Sequence, residues 1–282
     1  MSYTTIISPF DLHALLGKGT VRILDCRFSL ADTEWGRNAY RAAHLPGAVY
    51  AHLDDDLSAP VVPGVTGRHP LPAPEAFAAR LGVWGISGND QVVVYDQSHG
   101  GLAARAWWML HWMGHEDCAL LDGGWAAWTA QQYPVTDDVP SPTATQYRPR
   151  VNAAMTVSAD IVNAWRQDAA HCVIDARAAA RYRGEVEPID PVAGHMPGAF
   201  NLPFMENVHP DGSWKSPEVL RARLSKITVP DHQIAVHCGS GVTACHDILA
   251  FKHAGLGMPK LYPGSWSEWI TDPSRPVTTG PA

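Results

Sequence analysis

The 282-residue chain has no apolar stretch close to the roughly 20 residues that a membrane span needs. The richest run, Leu102 to Met113, is broken by Arg105 and His111. Basic residues are outnumbered, with 21 Lys and Arg against 28 Asp and Glu, a net charge of −7. That balance gives no basic field for nucleic acid or anionic lipid, so neither partner is expected. Cysteine is sparse, and its five positions (Cys26, Cys118, Cys172, Cys238, Cys245) are odd in number and widely spread. A disulfide scaffold is therefore not expected, and a reducing cytoplasm is the natural setting. The closest pair, Cys238 and Cys245, lacks the short Cys-x2–4-Cys spacing of structural zinc. The segment from Met1 to Gly17 shows no basic stretch followed by a long apolar core, so no secretory signal is expected.

What is present is ordinary globular material, 46% hydrophobic and 17% charged. At about 150 residues per domain, the length suggests two domains. The chain is in fact written twice. Val21-Arg22-Ile23-Leu24-Asp25-Cys26-Arg27 answers to Cys172-Val173-Ile174-Asp175-Ala176-Arg177. His44-Leu45-Pro46-Gly47-Ala48 answers to His195-Met196-Pro197-Gly198-Ala199, and Gln91 to Asp96 answers to Gln233 to Cys238. Gly123-Gly124-Trp125-Ala126-Ala127-Trp128 answers to Gly264-Ser265-Trp266-Ser267-Glu268-Trp269, and each copy then reaches a Pro-Val. Four matches in one order mean a duplicated domain. A Pro- and Thr-rich stretch without periodicity separates the copies, which places the domains at 1–138 and 156–282 with a linker at 139–155.

Within each copy, short apolar runs alternate with helical patterns. Strands are expected over Val21–Leu24, Val92–Tyr95, Ala119–Leu121, Val173–Asp175, Ile234–His237 and Lys260–Tyr262. Ser8, Ser158 and Ser216 read as helix N-caps, with Pro9 and Pro217 at first helical positions. The class is α/β, with a mainly parallel sheet flanked by helices in each domain. The Asp-x-Arg pairs recur in both copies and are read as structural. The tryptophans at 107, 108, 125, 128, 266 and 269 are read as core or domain-interface packing. Cys26, Cys118 and Cys172 adjoin apolar runs and read as buried small side chains, and Cys245 as a packed helix residue.

The copies differ chemically. Where the first has Asp96, the second has Cys238. The first is longer between its His-x-Pro-Gly-Ala turn and its Gln-led strand, and the extra residues fall in or near Asp54 to Pro72. A domain without a nucleophile but with an enlarged polar loop is a candidate to lend that loop to its partner's site. Cys238-Gly239-Ser240-Gly241-Val242-Thr243-Ala244 follows a strand and precedes a helical pattern over Val242 to Ala254. Its glycines let several backbone N–H groups point at one atom, a nest that favours an anion and hence a nucleophilic thiolate. A cysteine phosphatase would need an arginine about six residues after the cysteine to grip phosphate. That place is Ala244, and no Arg or Lys lies between Cys238 and Phe251. The loop suits something smaller or less charged, such as a sulfur atom.

On these residues the chain resembles the two-domain rhodanese-like sulfurtransferases over nearly its whole length. The loop Cys-Gly-Ser-Gly-Val-Thr-Ala is similar to that of 3-mercaptopyruvate sulfurtransferases, whereas thiosulfate-preferring relatives usually carry basic residues there. The resemblance implies an inert first domain with Asp96 at the cysteine position and a catalytic second domain. It implies transfer of a sulfane sulfur from 3-mercaptopyruvate, through a Cys238 persulfide, to a thiophilic acceptor (cyanide, a small thiol or thioredoxin), with release of pyruvate. Gly239, Ser240, Gly241, Val242 and Thr243 would cradle the persulfide, and Arg181 would bind the substrate carboxylate. Ser240, His69 and Asp56 match a serine–histidine–aspartate set that moves a proton onto the leaving enolate, with Asp54 or Asp55 as alternatives to Asp56. No cofactor or metal is expected, because sulfur transfer needs only a nucleophile and a charge cradle. One departure stands out: where mercaptopyruvate enzymes often carry a second carboxylate-binding arginine, this chain has Pro188-Ile189-Asp190. Arg183 or Arg68 is a candidate substitute. The alternatives are a thiosulfate:cyanide sulfurtransferase and a non-catalytic sulfur-carrier or docking module.

Overall fold

A computed structural model describes residues 2–19 and 21–281. Its strands are β1 (Ile6–Ile7), β2 (Val21–Asp25), β3 (Ala48–Tyr50), β4 (Gln91–Tyr95), β5 (Cys118–Leu121), β6 (Cys172–Asp175), β7 (Phe200–Asn201), β8 (Ile234–His237) and β9 (Lys260–Leu261). The helices are α1 (Pro9–Leu15), α2 (Trp35–Ala42), α3 (Pro74–Val83), α4 (Ala103–Trp112), α5 (Gly124–Ala130), α6 (Ala159–Trp165), α7 (Ala179–Tyr182), α8 (Pro217–Leu224), α9 (Ala244–His253) and α10 (Ser265–Trp269). All six strands expected from apolar runs are present, within a residue at either end. The three that pattern alone does not give, β1, β3 and β7, are two or three residues long, too short for a periodicity.

The chain forms two compact units. One contains Met1–Ala59, Pro72–Asn152 and Val208–Trp214; the other contains Pro60–Leu71, Ala153–Asn207 and Lys215–Ala282. Thus residues 60–71, from within the enlarged loop of the first copy, belong to the compact unit that holds Cys238. Residues of the stretch read as a linker are hydrogen-bonded onto the first unit, through Thr145 N to Gly82 O and Asn152 N to Trp112 O, at 2.9 Å each.

The first unit has a five-stranded parallel sheet in the order β1-β5-β4-β2-β3, the second a four-stranded parallel sheet in the order β7-β6-β8-β9. Helices cover such sheets on both faces, which is why β4, β5 and β8 read as near-continuous apolar runs. Each serine cap is formed: Ser8, Ser158 and Ser216 accept from the N–H of Asp11, Ile161 and Val219. Pro9 and Pro217 open their helices, where a missing N–H costs nothing.

The duplicated motifs have duplicated mechanics. Arg27 wraps Asp25 and donates to Ala43 O, and Arg177 wraps Asp175 and donates to Gly194 O, each through Nη2 at 2.7 Å. Their guanidinium groups lie over Trp125 and Trp266, at 4.3 and 4.7 Å from the ring centres. His44 and His195 stack on Tyr40 and Tyr182 and bridge to Thr136 and Thr278, pinning the Pro-Val ends of the copies. Burial pushes the Asp175 carboxyl up, but His237 and Arg177 outweigh it and hold it below its usual range. Asp175 thus contributes stability in full above the unfolded carboxylate value of about 4, lost as pH falls through the depressed folded value. Asp175→Ala leaves Arg177 buried without its main partner. It is expected to cost about 3–5 kcal/mol in urea unfolding at neutral pH. The loss should shrink in acid; an equal loss at all pH values would contradict the charge argument.

Candidate active site

Cys238 stands at the C-terminal end of β8, between β6 and β9, where open parallel sheets place ligands. The sequence after it cannot continue as a strand. Gly241 takes φ +74°, and a Cβ there would lie 2.3 Å from Pro263 O. A glycine is therefore required at the turn into α9.

The loop is held from behind by the start of α10. Cys238 N donates to Ser265 Oγ at 3.1 Å, while Trp266 N and Ser267 N donate to Cys238 O and Gly239 O at 3.0 and 2.9 Å. The first copy repeats this tie, with Trp125 N on Asp96 O and Ala126 N on Gln97 O. The Gly-Ser-Trp motif, read from sequence only as packing, therefore also shapes the cysteine loop. The signal available in the sequence was its co-occurrence with the loop in both copies.

With the carbonyls fixed outward, the N–H groups of Gly239, Ser240, Val242 and Thr243 make no hydrogen bond among the described residues. They follow a cysteine that is 2% exposed and lead into the ten-residue α9. The first copy shows what such a loop accepts. Asp96 is fully buried, and its carboxylate accepts from Ser98 N, Gly100 N, Leu102 N and Ala103 N at 2.8–3.3 Å. In one copy, then, the nest is filled by the chain's own anion. In the other, the matching position carries a thiol whose thiolate or persulfide would be that anion.

Ser240 lies on this loop and hydrogen-bonds His69, with Oγ to Nδ1 at 2.8 Å; both side chains are buried. Asp56 is engaged elsewhere, within the first unit. Its Oδ2 accepts from His52 N at 2.8 Å and its Oδ1 pairs with Arg80 Nε at 2.9 Å. Burial raises its pKa, against the opposing pull of the His52 N–H and Arg80. Asp55 pairs with Arg37 at 2.7 Å.

Arg181, on α7, donates from Nε and Nη2 to Glu187 at 3.1 and 2.6 Å and from Nη2 to Asp190 at 3.2 Å. Burial raises Glu187, but Arg181 and the N–H groups of Asp190 and Ile189 bring it below its usual range. Asp190 is displaced upward by burial, and further by Glu187, against the pull of Arg68 and Arg181. Arg183 points away into an exposed pair with Glu185. His237 is buried beneath the loop, with Nδ1 3.2 Å from Cys238 O. Burial lowers its pKa, against the pull of Asp175. Cys245, on α9, donates its thiol to Gly241 O at 3.4 Å, as a packed helix residue does.

Both copies match the rhodanese-like domain, over residues 8–131 and 158–272. The chain belongs to the rhodanese-like family. A probable 3-mercaptopyruvate sulfurtransferase of Pseudomonas aeruginosa is 47% identical over 99% of this chain and all of its own length. A putative thiosulfate sulfurtransferase of Mycobacterium tuberculosis is 38% identical over 98% of each chain. The solved structure of the 3-mercaptopyruvate sulfurtransferase SseA from Escherichia coli superposes with a TM-score of 0.82 at 31% identity, covering 94% of this chain and 100% of that one. Of the two rhodanese-like domains, only the second carries a cysteine at the end of its Gln-led strand; the first carries Asp96 there.

Proposed function

We propose that the chain transfers a sulfane sulfur from 3-mercaptopyruvate to a thiophilic acceptor through a persulfide on Cys238. The observation that carries this reading is a run of uncommitted N–H groups directly after a buried thiol, in a loop without a basic residue. The Cys238 thiolate attacks the donor sulfur. The carbon–sulfur bond breaks, and its electron pair leaves on the enolate of pyruvate. Ser240, hydrogen-bonded to His69, delivers the proton that the enolate carbon needs. Asp56 is retained as the set's acidic member on the resemblance alone. The persulfide is then stabilised by Gly239, Ser240, Gly241, Val242 and Thr243, as an oxyanion hole stabilises oxygen. Cyanide, a small thiol or reduced thioredoxin attacks the outer sulfur and regenerates the thiolate. Five free cysteines fit work in a reducing cytoplasm.

The test is pyruvate release from 3-mercaptopyruvate, measured beside thiocyanate formation from thiosulfate and cyanide. Much faster turnover of 3-mercaptopyruvate is expected, because Ser240 with His69 serves a leaving enolate that thiosulfate does not form. The 38% identity to a protein named for thiosulfate favours the second reading, a thiosulfate sulfurtransferase, which faster thiocyanate formation would support. Persulfide formation without turnover of either donor would instead mark a sulfur carrier.

A further inference from the structure

The two copies differ at a further position beside the cysteine loop. In the first, Ala126 is exposed, and its N–H donates to Gln97 O at 3.2 Å. In the second, the matching residue is Ser267, which is buried. Its N–H makes the same tie, to Gly239 O at 2.9 Å. Its hydroxyl makes two bonds that alanine cannot. Oγ donates to Gly264 O at 3.3 Å and accepts from Arg68 N at 3.0 Å. A serine hydroxyl has one proton to give, and here it goes to a carbonyl three residues back. The lone pairs are left for the N–H of Arg68.

Arg68 precedes His69 in the segment 60–71, which belongs to the unit that holds Ser267. The main chain at 67–68 lies flush against the start of α10. A Cβ at Gly67 would meet Gly264 O at 2.4 Å and Ser267 Oγ at 2.8 Å. One residue further on, His69 meets Ser240 at 2.8 Å. Ser240 follows Gly239, whose carbonyl Ser267 N holds. One residue thus fixes both ends of the Ser240–His69 bond. It holds the serine end through its main chain and the histidine end through its side chain. The first copy keeps the main-chain tie through Ala126, but has no hydroxyl there and carries Asp96 in place of the cysteine.

We propose that Ser267 is a positioning residue: its hydroxyl seats the main chain at Arg68 so that His69 meets Ser240, and it thereby favours donors whose leaving group needs a proton. It acts through His69 rather than on the donor. The assignment rests on the proposed proton delivery to the pyruvate enolate and names the group that sets its geometry.

The test compares 3-mercaptopyruvate with thiosulfate. Ser267→Ala, which makes the position match Ala126, is expected to lower kcat for 3-mercaptopyruvate by about 10- to 100-fold, the scale of an ångström-sized misplacement of a catalytic group, with KM little changed. Thiocyanate formation from thiosulfate and cyanide should stay near wild type, since sulfite leaves without a proton. Gly67→Ala pushes the same main chain off Gly264 O with Ser267 intact, and should show the same donor-selective loss. Ala126→Ser should match wild type with both donors. In a His69→Gln background, Ser267→Ala should cost almost nothing more, because two changes to one device do not add. An equal loss with both donors, or a loss that multiplies with that of His69→Gln, would overturn the assignment in favour of a purely structural serine. A raised KM at unchanged kcat would also overturn it, since the hydroxyl would then act through the Arg68 side chain. The NMR resonance of the His69 Nδ1 nitrogen, assigned by its loss in His69→Gln, separates this inference from the reaction it rests on. It should move in Ser267→Ala in the same sense as in Ser240→Ala, which removes its partner. If the wild type releases no pyruvate, the reaction fails. A moved resonance would still support the positioning role, and an unmoved one would remove it.

Discussion

Cys238→Ser is expected to lower turnover of 3-mercaptopyruvate by about 10⁴-fold or more, the scale seen when a covalent nucleophile is removed. Three features make the effect large. A serine hydroxyl stays protonated near neutral pH, so the attacking anion is lost. Oxygen in place of sulfur cannot hold a transferable sulfane sulfur. The nest around position 238 would then face a neutral group rather than the anion its N–H groups suit. The substitution is nearly isosteric and keeps the backbone bonds to Ser265, Trp266 and Ser267, so the thermal midpoint should move little. Mass spectrometry after donor treatment should show a gain of one sulfur atom on the wild type and none on the variant. Residual turnover within tenfold of wild type, or a sulfur adduct retained by the variant, would remove Cys238 from the proposed role.

The second large effect is selective. Ser240→Ala and His69→Gln are each expected to slow pyruvate release from 3-mercaptopyruvate by about 10²- to 10⁴-fold, the usual contribution of positioned proton transfer. Neither should greatly slow sulfur transfer from thiosulfate. The reason lies in the leaving groups. Pyruvate departs as an enolate that must be protonated at carbon, whereas sulfite departs as a stable anion. The 2.8 Å bond between Ser240 and His69 supplies the connection that such a step needs. If the two substitutions slow both donors alike, the pair shapes the loop and does not move a proton. If they slow neither, the proton comes from solvent.

Much of this was legible in the sequence because it is local. Asp25 and Arg27, or Asp175 and Arg177, are two residues apart, and a strand end is enough to bring them together. Cys238 announces itself by the glycines that follow it, since Gly241 alone tolerates the left-handed turn under Pro263. The helix caps lie within three residues of what they cap. The short strands β3 and β7 were not legible, because three or fewer residues carry no period and owe their form to pairing with β2 and β6. The tie from α10 to the cysteine loop was equally hidden. Apart from Ser265 Oγ, its partners are main-chain atoms, which any sequence supplies.

The sequence by itself determined the duplication, the parallel α/β class, the loss of the nucleophile from one copy and the place of the thiol in the other. Those follow from repeated motifs and from backbone rules that act over a few residues. Only the tertiary structure decided that residues 60–71 fold with the second unit, that His69 meets Ser240, and that Asp190 joins Arg68 to Arg181. The contacts of His69 with Ser240 and of Arg68 with Asp190 span 171 and 122 residues along the chain. They exist because strand pairing and burial bring remote segments to the same sheet end, and a charge placed there is read by whatever surrounds it rather than by its neighbours in sequence.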